Sequence, residues 1–535
     1  MMAFTVPAVV VLCLSTLTQC NPVDLHPSEE VARSRGPQIF NAVHDSMKQW
    51  GSSLHHNGMS IFLATVPEGV LLYHGNTSPE SPSEPDWLAY EIEHAEQFAH
   101  SFSRRPPKGP PGGPPGGPPK EPPGEPPQGP PGHPDAGFFD TNGRQHVLGS
   151  RAEKRAEGAR GWLHVYRATE PLQLLYVDGM SGGKTTMGTL DTQDYLLRSV
   201  RSDPWAEKEP PKALGGGPMG ERERAVDLCK LSTSWGLHGI LRMEAGFEII
   251  MCDFEKGLEQ VQALRRPEPS RQNERRGEVR GLETLRGFAE RYQGIGASRT
   301  LVDYSSMVSA FFFPVNLTNP DEKRPDLPRL SEVSDSELAS IKDYLHETIQ
   351  SRLGAQTSPV NWQGIADLIV GRYSDRIEFM ASRSSSPTLL ADEVSFLLDV
   401  YIHYPDDGGK PDLPEAISRC SEFYLQIMNP STEADRLIHA AFQTVTSRIC
   451  STLFDIRERV SGVAEVSRSD LEWSAEALQS LISFLGWSRF KRCESCDLDA
   501  VCFIPMWPMG SQDDYYSPNC KNGSDLRGGN SYWKM

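Results

Sequence analysis

Apolar and polar residues along this chain change rhythm twice, and each change marks a boundary. From Gln38 to Gln49 the apolar residues Ile39, Phe40, Val43 and Met47 recur at helical spacing. Met59–Val66 and Gly69–Tyr73 read as two strands around the turn signal Pro67-Glu68-Gly69. Trp87–Ala99 reads as a strand end running into a helix, with Ile92, Ala95, Phe98 and Ala99 on one side. Trp162–Arg167 and Leu172–Val177 are predicted strands, followed by a glycine-rich loop at Asp178–Thr186 and a helix over Asp191–Val200. A short helix at Ala225–Leu231 precedes a strand pair in Ile240–Phe254 that carries Glu248. Beyond Leu330 the period becomes helical throughout. Ser334 and Glu337 form a capping box ahead of Leu338, Ile341, Leu345 and Ile349. Trp362–Tyr373, Val394–Ile402, the Cys420 segment, Leu437–Ile456 and Leu471–Trp487 continue in the same way.

These periods predict an α+β protein. A mixed α/β domain over 21–264 follows a leader at 1–20, and 265–330 reads as a basic, polar connector. An all-helical domain covers 331–490, where amphipathic helices bury one another. A short cysteine-rich tail, 491–535, closes the chain. Within the first domain, 105–134 is of another kind: its prolines come in pairs every four residues. Collagen needs glycine at every third position, so this is a polyproline-like spacer inserted into the domain rather than a triple helix. Its PxxP pattern also suits an aromatic groove, although a plain extended loop accounts for it more simply.

Composition narrows the setting. A formal charge of -18 over 535 residues argues against nucleic-acid partners, which need a basic footprint. Phe4–Leu17 is an apolar run of signal-peptide length, with Thr18 and Cys20 as small residues before a cut at Asn21, although a basic start is missing. Its plain structural alternative is a buried strand. No later stretch has the length and apolarity of a membrane helix, so no span is expected in the mature chain. Of ten cysteines, two leave with the leader. The other eight are Cys229, Cys252, Cys420, Cys450, Cys493, Cys496, Cys502 and Cys520, an even number that favours disulfides in an oxidising compartment. Cys229 with Cys252, and Cys420 with Cys450, are the expected pairs; connectivity in the tail stays open. Sequons at Asn76, Asn316 and Asn522 agree with an extracellular glycoprotein.

Several motifs fall short of a known chemistry. Asp178–Thr186 ends in Gly183-Lys184-Thr185 like a phosphate loop, but three residues rather than four separate Gly179 from Gly183, so a tight glycine turn is the simpler reading. Cys493-x-x-Cys496 with Cys502 and Cys520 offers four thiolates for zinc, but the second spacing is far too long and disulfides are expected instead; no metal site is assigned. His94 and His100 do not form HExxH, and no GxSxG elbow is present.

Gly69–Gly75 (GVLLYHG), Trp87–Ala99, Gly161–Gly179 and Trp235–Phe254 together resemble a group of uncharacterised secreted fungal proteins. The strings LLYVDGMSGGKT and RMEAGFEIIMCDF carry that resemblance most specifically, over about the first half of the chain. More distantly, the same order is similar to ADP-ribosyltransferase folds. That resemblance implies NAD as cofactor, with His74 holding a ribose hydroxyl, Trp87 or Tyr90 against the nicotinamide and Glu248 as the catalytic carboxylate. A fixed carboxylate would stabilise the positive charge that builds on the sugar as the nicotinamide bond breaks. The sequence departs from that pattern in lacking a Ser or Thr beside the aromatic and a second acid two residues before Glu248.

Two function classes result. One is a secreted interaction protein with a protein or cell-wall partner and no cofactor. The other is an NAD-dependent ADP-ribosyltransferase or NAD glycohydrolase using His74 and Glu248. Whether His74, Trp87 or Tyr90, and Glu248 converge in space separates them.

Overall fold

The computed structural model describes residues 25–99, 161–200, 220–266, 274–289 and 299–533, apart from 354, 356–359, 384–385, 407, 427–428, 463–464 and 527–530. The expected leader at 1–20 and the expected proline-rich insert at 105–134 lie outside the described residues. The architecture is the expected one, a mixed sheet-and-helix region, then a helical region, then a disulfide-bonded tail.

Three short helices lead in: α1 (Glu29–Ser34), α2 (Gly36–Asp45) and α3 (Gln49–Leu54). Nine strands then build one sheet: β1 (Ser60–Val66), β2 (Leu71–Asn76), β3 (Asp86–Ala89), β4 (Trp162–Ala168), β5 (Leu172–Val177), β6 (Gly239–Met243), β7 (Phe247–Met251), β8 (Leu258–Arg265) and β9 (Leu301–Ser309). Their order is β8-β4-β2-β3-β7-β6-β5-β1-β9. All neighbours are antiparallel except β5 and β6.

Two local expectations change here. The strands flanking Pro67-Glu68-Gly69 do not pair with each other: β3, β7, β6 and β5 lie between β1 and β2. A turn signal determines that the chain reverses, while pairing is decided by which partner buries the apolar face. The stretch 265–330, expected as a connector, supplies helix α6 (Glu274–Ala289) and the edge strand β9. Met307 and Val308 of β9 are buried in the core, so the sheet extends beyond the boundary that composition suggested.

Between β3 and β4 comes the one-turn helix α4 (Ile92–Glu96); a π-helical turn (Thr192–Leu197) and α5 (Glu221–Ser234) lie between β5 and β6. The helical region is α7 (Asp335–Leu353), α8 (Trp362–Ser382), α9 (Pro387–Leu398), α10 (Leu413–Glu422), α11 (Glu433–Val460) and α12 (Arg468–Leu485). Its centre is α11, whose Thr432 and Asp435 make a reciprocal capping box. Phe442 of α11 meets both Phe40 of α2 (centroids 4.5 Å apart) and Trp362 of α8 (5.2 Å). The first helices therefore pack into the helical layer although they precede the sheet in the chain. Buried Asp435 ties the layers together, accepting from Trp362 Nε1 (2.9 Å), Ser305 Oγ on β9 (2.8 Å) and the backbone N–H groups of Ser431 and Thr432 (3.0 Å each).

In the tail, β10 (Ala500–Phe503) and β11 (Asn519–Asn522) pair around α13 (Gln512–Tyr516). No helix among the described residues is long and apolar enough to cross a membrane.

Candidate functional site

His74 lies on β2 and Glu248 on β7, with β3 between them. Tyr73 is opposite Ala89 on β3, and Ala89 is opposite Glu248. Residues directly opposite in a sheet project from one face, and consecutive residues of a strand alternate. Tyr73, Trp87, Ala89 and Glu248 thus share a face, and His74 projects from the other. The three-part site expected from the NAD resemblance does not assemble: the sheet stands between His74 and Glu248.

Each of these residues has a local role. His74 is buried, and its Nδ1–H donates to the Trp87 carbonyl (2.7 Å), which fixes the tautomer. Burial pushes its pKa down to about 4, against the opposing pull of that hydrogen bond. His164, Phe254 and, 4.0 Å from Nε2, the Asp86 carboxylate surround it. Gly75 follows because α4 crosses directly above: a Cβ there would land on the Ala95 carbonyl oxygen. Trp87 is half-buried against the core. Tyr90 is buried, with its hydroxyl bonded to Thr300 Oγ1 (2.7 Å) and Arg299 over its ring.

Glu248 belongs to a different constellation, a charge network under the loop that follows β5. Its Oε1 accepts from Arg242 Nε (2.9 Å) on the opposite strand. Arg242 also donates to Glu221 at the start of α5 and to Gln193 Oε1 (3.1 Å) of the π-helical turn. Glu221 accepts from Arg224 Nη1 (2.7 Å), which in turn grips Asp194 through two nitrogens. Lys184 comes from the glycine-rich loop; its ammonium pairs with Glu244 and stands 3.6 Å from Glu221. The side chains of Lys184, Glu221 and Arg242 are wholly inaccessible to water.

Burial works against every charge in this network, so the arrangement of signs decides each state. Burial raises the Glu221 pKa, but Arg242, Lys184 and Arg224 outweigh it and hold the carboxyl at about 2. For Glu244 burial wins and the pKa rises to about 7. Glu248 is likewise raised, by burial first, against the pull of Arg242. Glu248 is thus a buried partner of Arg242 rather than a carboxylate open to a substrate.

Lys184, read from the sequence as part of an off-pattern phosphate loop, is instead a buried member of this network. Its loop differs from a phosphate loop in spacing, and the structure shows what the glycines do instead. Gly179 has a φ of +65° and closes on Gly58, while Gly182 N–H donates to the Met243 carbonyl at the end of β6 (2.7 Å). The signal available was the lysine itself, the one Lys or Arg between Arg167 and Arg198.

The cysteines pair as expected where a pairing was expected, Cys229–Cys252 and Cys420–Cys450. The open connectivity of the tail is Cys493–Cys502 and Cys496–Cys520. Cys493, Cys496 and Cys520 cluster closely enough for a metal, but their thiols are consumed in these bonds. Asn316 and Asn522 are exposed; Asn76 is half-buried, and its Oδ1 accepts from Ser78 N–H (2.9 Å) and His164 Nε2 (3.1 Å).

Comparison with known proteins accords with the resemblance to uncharacterised fungal proteins. Residues 28–273 match the family described as the YPL277C N-terminal domain. The uncharacterized protein YOR389W of Saccharomyces cerevisiae is 26% identical over 546 residues, which cover 88% of this chain and 82% of that protein. The uncharacterized protein YPL277C of the same yeast is 33% identical over 242 residues, 43% of each chain. No solved structure matches the chain. The comparisons lend no support to the ADP-ribosyltransferase resemblance, and neither relative brings an activity. The chain is thus similar, over most of its length, to uncharacterised fungal proteins, and its N-terminal region matches the YPL277C N-terminal family.

Proposed function

We propose that this is a secreted, N-glycosylated, disulfide-stapled protein that acts by binding an extracellular partner, a protein or the cell wall. The observation that carries this reading is the use of all eight cysteines outside the leader in four disulfides, one in the sheet region, one between helices and two in the tail. Such bonds persist in an oxidising compartment. The exposed sequons at Asn316 and Asn522 support it further. For the binding role, the helical region exposes Phe396 (61%), Val400 (69%), Tyr404 (53%) and Phe423 (51%). Large apolar side chains left in water favour contact with a partner.

The test is expression in a fungal host with the natural leader. The medium should contain the protein, unreactive toward a thiol-specific polymer reagent until reduced and reduced in mass by an endoglycosidase. Retention on isolated cell walls, or cross-linking to one surface protein, should fall when Phe396 and Val400 are changed to Ser. Intracellular retention with free thiols would overturn the secretion reading. Unchanged retention by the Ser variant would overturn the binding role of this surface.

A further inference from the structure

His74 carries one atom that its own surroundings leave unused. The residue is 4% exposed, and its Nδ1–H is committed to the Trp87 carbonyl (2.7 Å). A neutral imidazole then holds a lone pair on Nε2, and among the described residues that atom has no hydrogen-bond partner. Asp86 Oδ2 lies 4.0 Å from it, too far for a hydrogen bond. The other carboxylate oxygen, Oδ1, accepts from the Trp87 N–H (2.8 Å). One residue, Trp87, therefore orients both side chains through its backbone, the imidazole by its carbonyl and the carboxylate by its N–H.

The charge here is unbalanced. Elsewhere the protein sets its buried carboxylates against a guanidinium, as Glu221 and Glu248 against Arg242 and Asp191 against Arg329. Among the described residues no lysine or arginine pairs with Asp86. The neighbouring imidazole of His164 is already engaged: its Nε2–H is shared by Asn76 Oδ1 (3.1 Å) and the Ser78 carbonyl (2.9 Å), and its Nδ1 accepts from Gln260 Nε2 (2.9 Å). The ring of Phe254, 5.6 Å from that of His74, adds an apolar wall. A carboxylate without a counter-ion and a buried lone pair without a donor are both stabilised by one cation placed between them.

We propose that His74 Nε2 and Asp86 Oδ2 hold a divalent transition-metal ion, with zinc the ion best suited to this pair of donors. Imidazole nitrogen and carboxylate oxygen are both zinc ligands. An imidazole that binds a metal through one nitrogen typically donates its other N–H to a carbonyl or carboxylate, as His74 does. Two such ligands at a tetrahedral angle on zinc stand about 3.4 Å apart, so a small turn of the Asp86 side chain brings both onto the ion. Water or an oxygen of a ligand fills the remaining positions. The Asp86 side chain keeps 18% of its surface in water, which gives the ion a way in. This site is independent of the partner-binding surface proposed for the helical region.

Equilibrium dialysis of the full-length protein, with its disulfides intact, against zinc and against cobalt tests the site. The natural protein should take up one ion, with the visible absorption of cobalt bound by nitrogen and oxygen, and zinc should raise its melting temperature by a few degrees. His74→Gln and Asp86→Asn should each weaken uptake by about a hundredfold and abolish the rise with zinc. His403→Gln, a change at an exposed histidine of the helical region, should bind as the natural protein does. Asn has the shape of Asp, so Asp86→Asn keeps the fold and gives a second readout. Without metal it should melt at or above the natural protein, because an unpaired buried charge is gone; with zinc the order should reverse. No uptake of either ion, uptake that Asp86→Asn leaves unchanged, or melting temperatures that keep their order in zinc would each overturn the proposal.

Discussion

Arg242 and Glu248 face each other across the β6–β7 pair, Nε to Oε1 at 2.9 Å, in a part of the sheet closed to water. The carboxylate that the NAD resemblance assigned to catalysis is held as a counter-ion. Removing one partner of a buried pair leaves the other unpaired, at about 3–5 kcal/mol. Glu248→Gln should therefore lower the free energy of urea unfolding substantially, and Arg242→Met should lower it more, because Arg242 also serves Glu221. Nicotinamide release from NAD should be at background for the natural protein and for Glu248→Gln alike. Release that depends on Glu248 would show that the sheet does not separate the residues as described.

Gly75→Ala should destabilise the fold, since its new methyl group meets the Ala95 carbonyl and the Ala99 backbone nitrogen. Overpacking of this kind costs about 1–3 kcal/mol, and backbone cannot swing aside as a side chain can. Thermal melts of Gly75→Ala beside Gly69→Ala separate two effects. Gly69 has open space around it but a φ of +86°, so its loss should come from backbone strain alone.

Asp178 sets a pH dependence of known sign. Burial raises its pKa from 3.8 to about 7, against hydrogen bonds from Ser60. The folded state holds this proton more tightly than the unfolded chain does. Its stabilising contribution is whole below 3.8 and is lost as pH rises through about 7. Buried His56 and His74, driven to about 3 and about 4 chiefly by burial, act in reverse and lose theirs as pH falls below 6.5. Asp178→Asn removes only the first effect. Its melting temperature relative to the natural protein should climb steadily between pH 4 and pH 7, by on the order of 1.4 kcal/mol of stability per pH unit at most. A difference that does not vary with pH would show that Asp178 is ionised in the fold.

Glycan occupancy should divide the three sequons. Asn316→Gln and Asn522→Gln should each remove one endoglycosidase-sensitive step in mass, as both side chains are exposed. Asn76→Gln should leave the mass of the glycans unchanged and reduce stability, because Oδ1 of Asn76 organises Ser78 and His164. Occupied Asn76 in the secreted protein would contradict this assignment.

Much of this protein could be read along the chain. Helical and strand periods located most of the elements, because burying one face of an element repeats at a fixed interval whatever lies opposite. Cys229–Cys252 and Cys420–Cys450 were legible because each pair falls within neighbouring segments of one region. Strand partners were not legible. β1 joins β5 and β9 rather than β2, and β9 comes from a stretch whose composition suggested a connector. The candidate site failed for the same reason: His74 and Glu248 stand in the right order, but order does not say from which face a side chain projects.

Local periodicity, chain stiffness and composition were enough for the class of fold, most of the elements, the even set of cysteines and the proline-rich stretch. That Glu248 serves Arg242, that Lys184 is buried among carboxylates and that Trp507, more than three hundred residues later, stands beside it came from packing alone. Charge pairing in a region closed to water acts between side chains brought together by packing, and their distance along the chain leaves no mark on it.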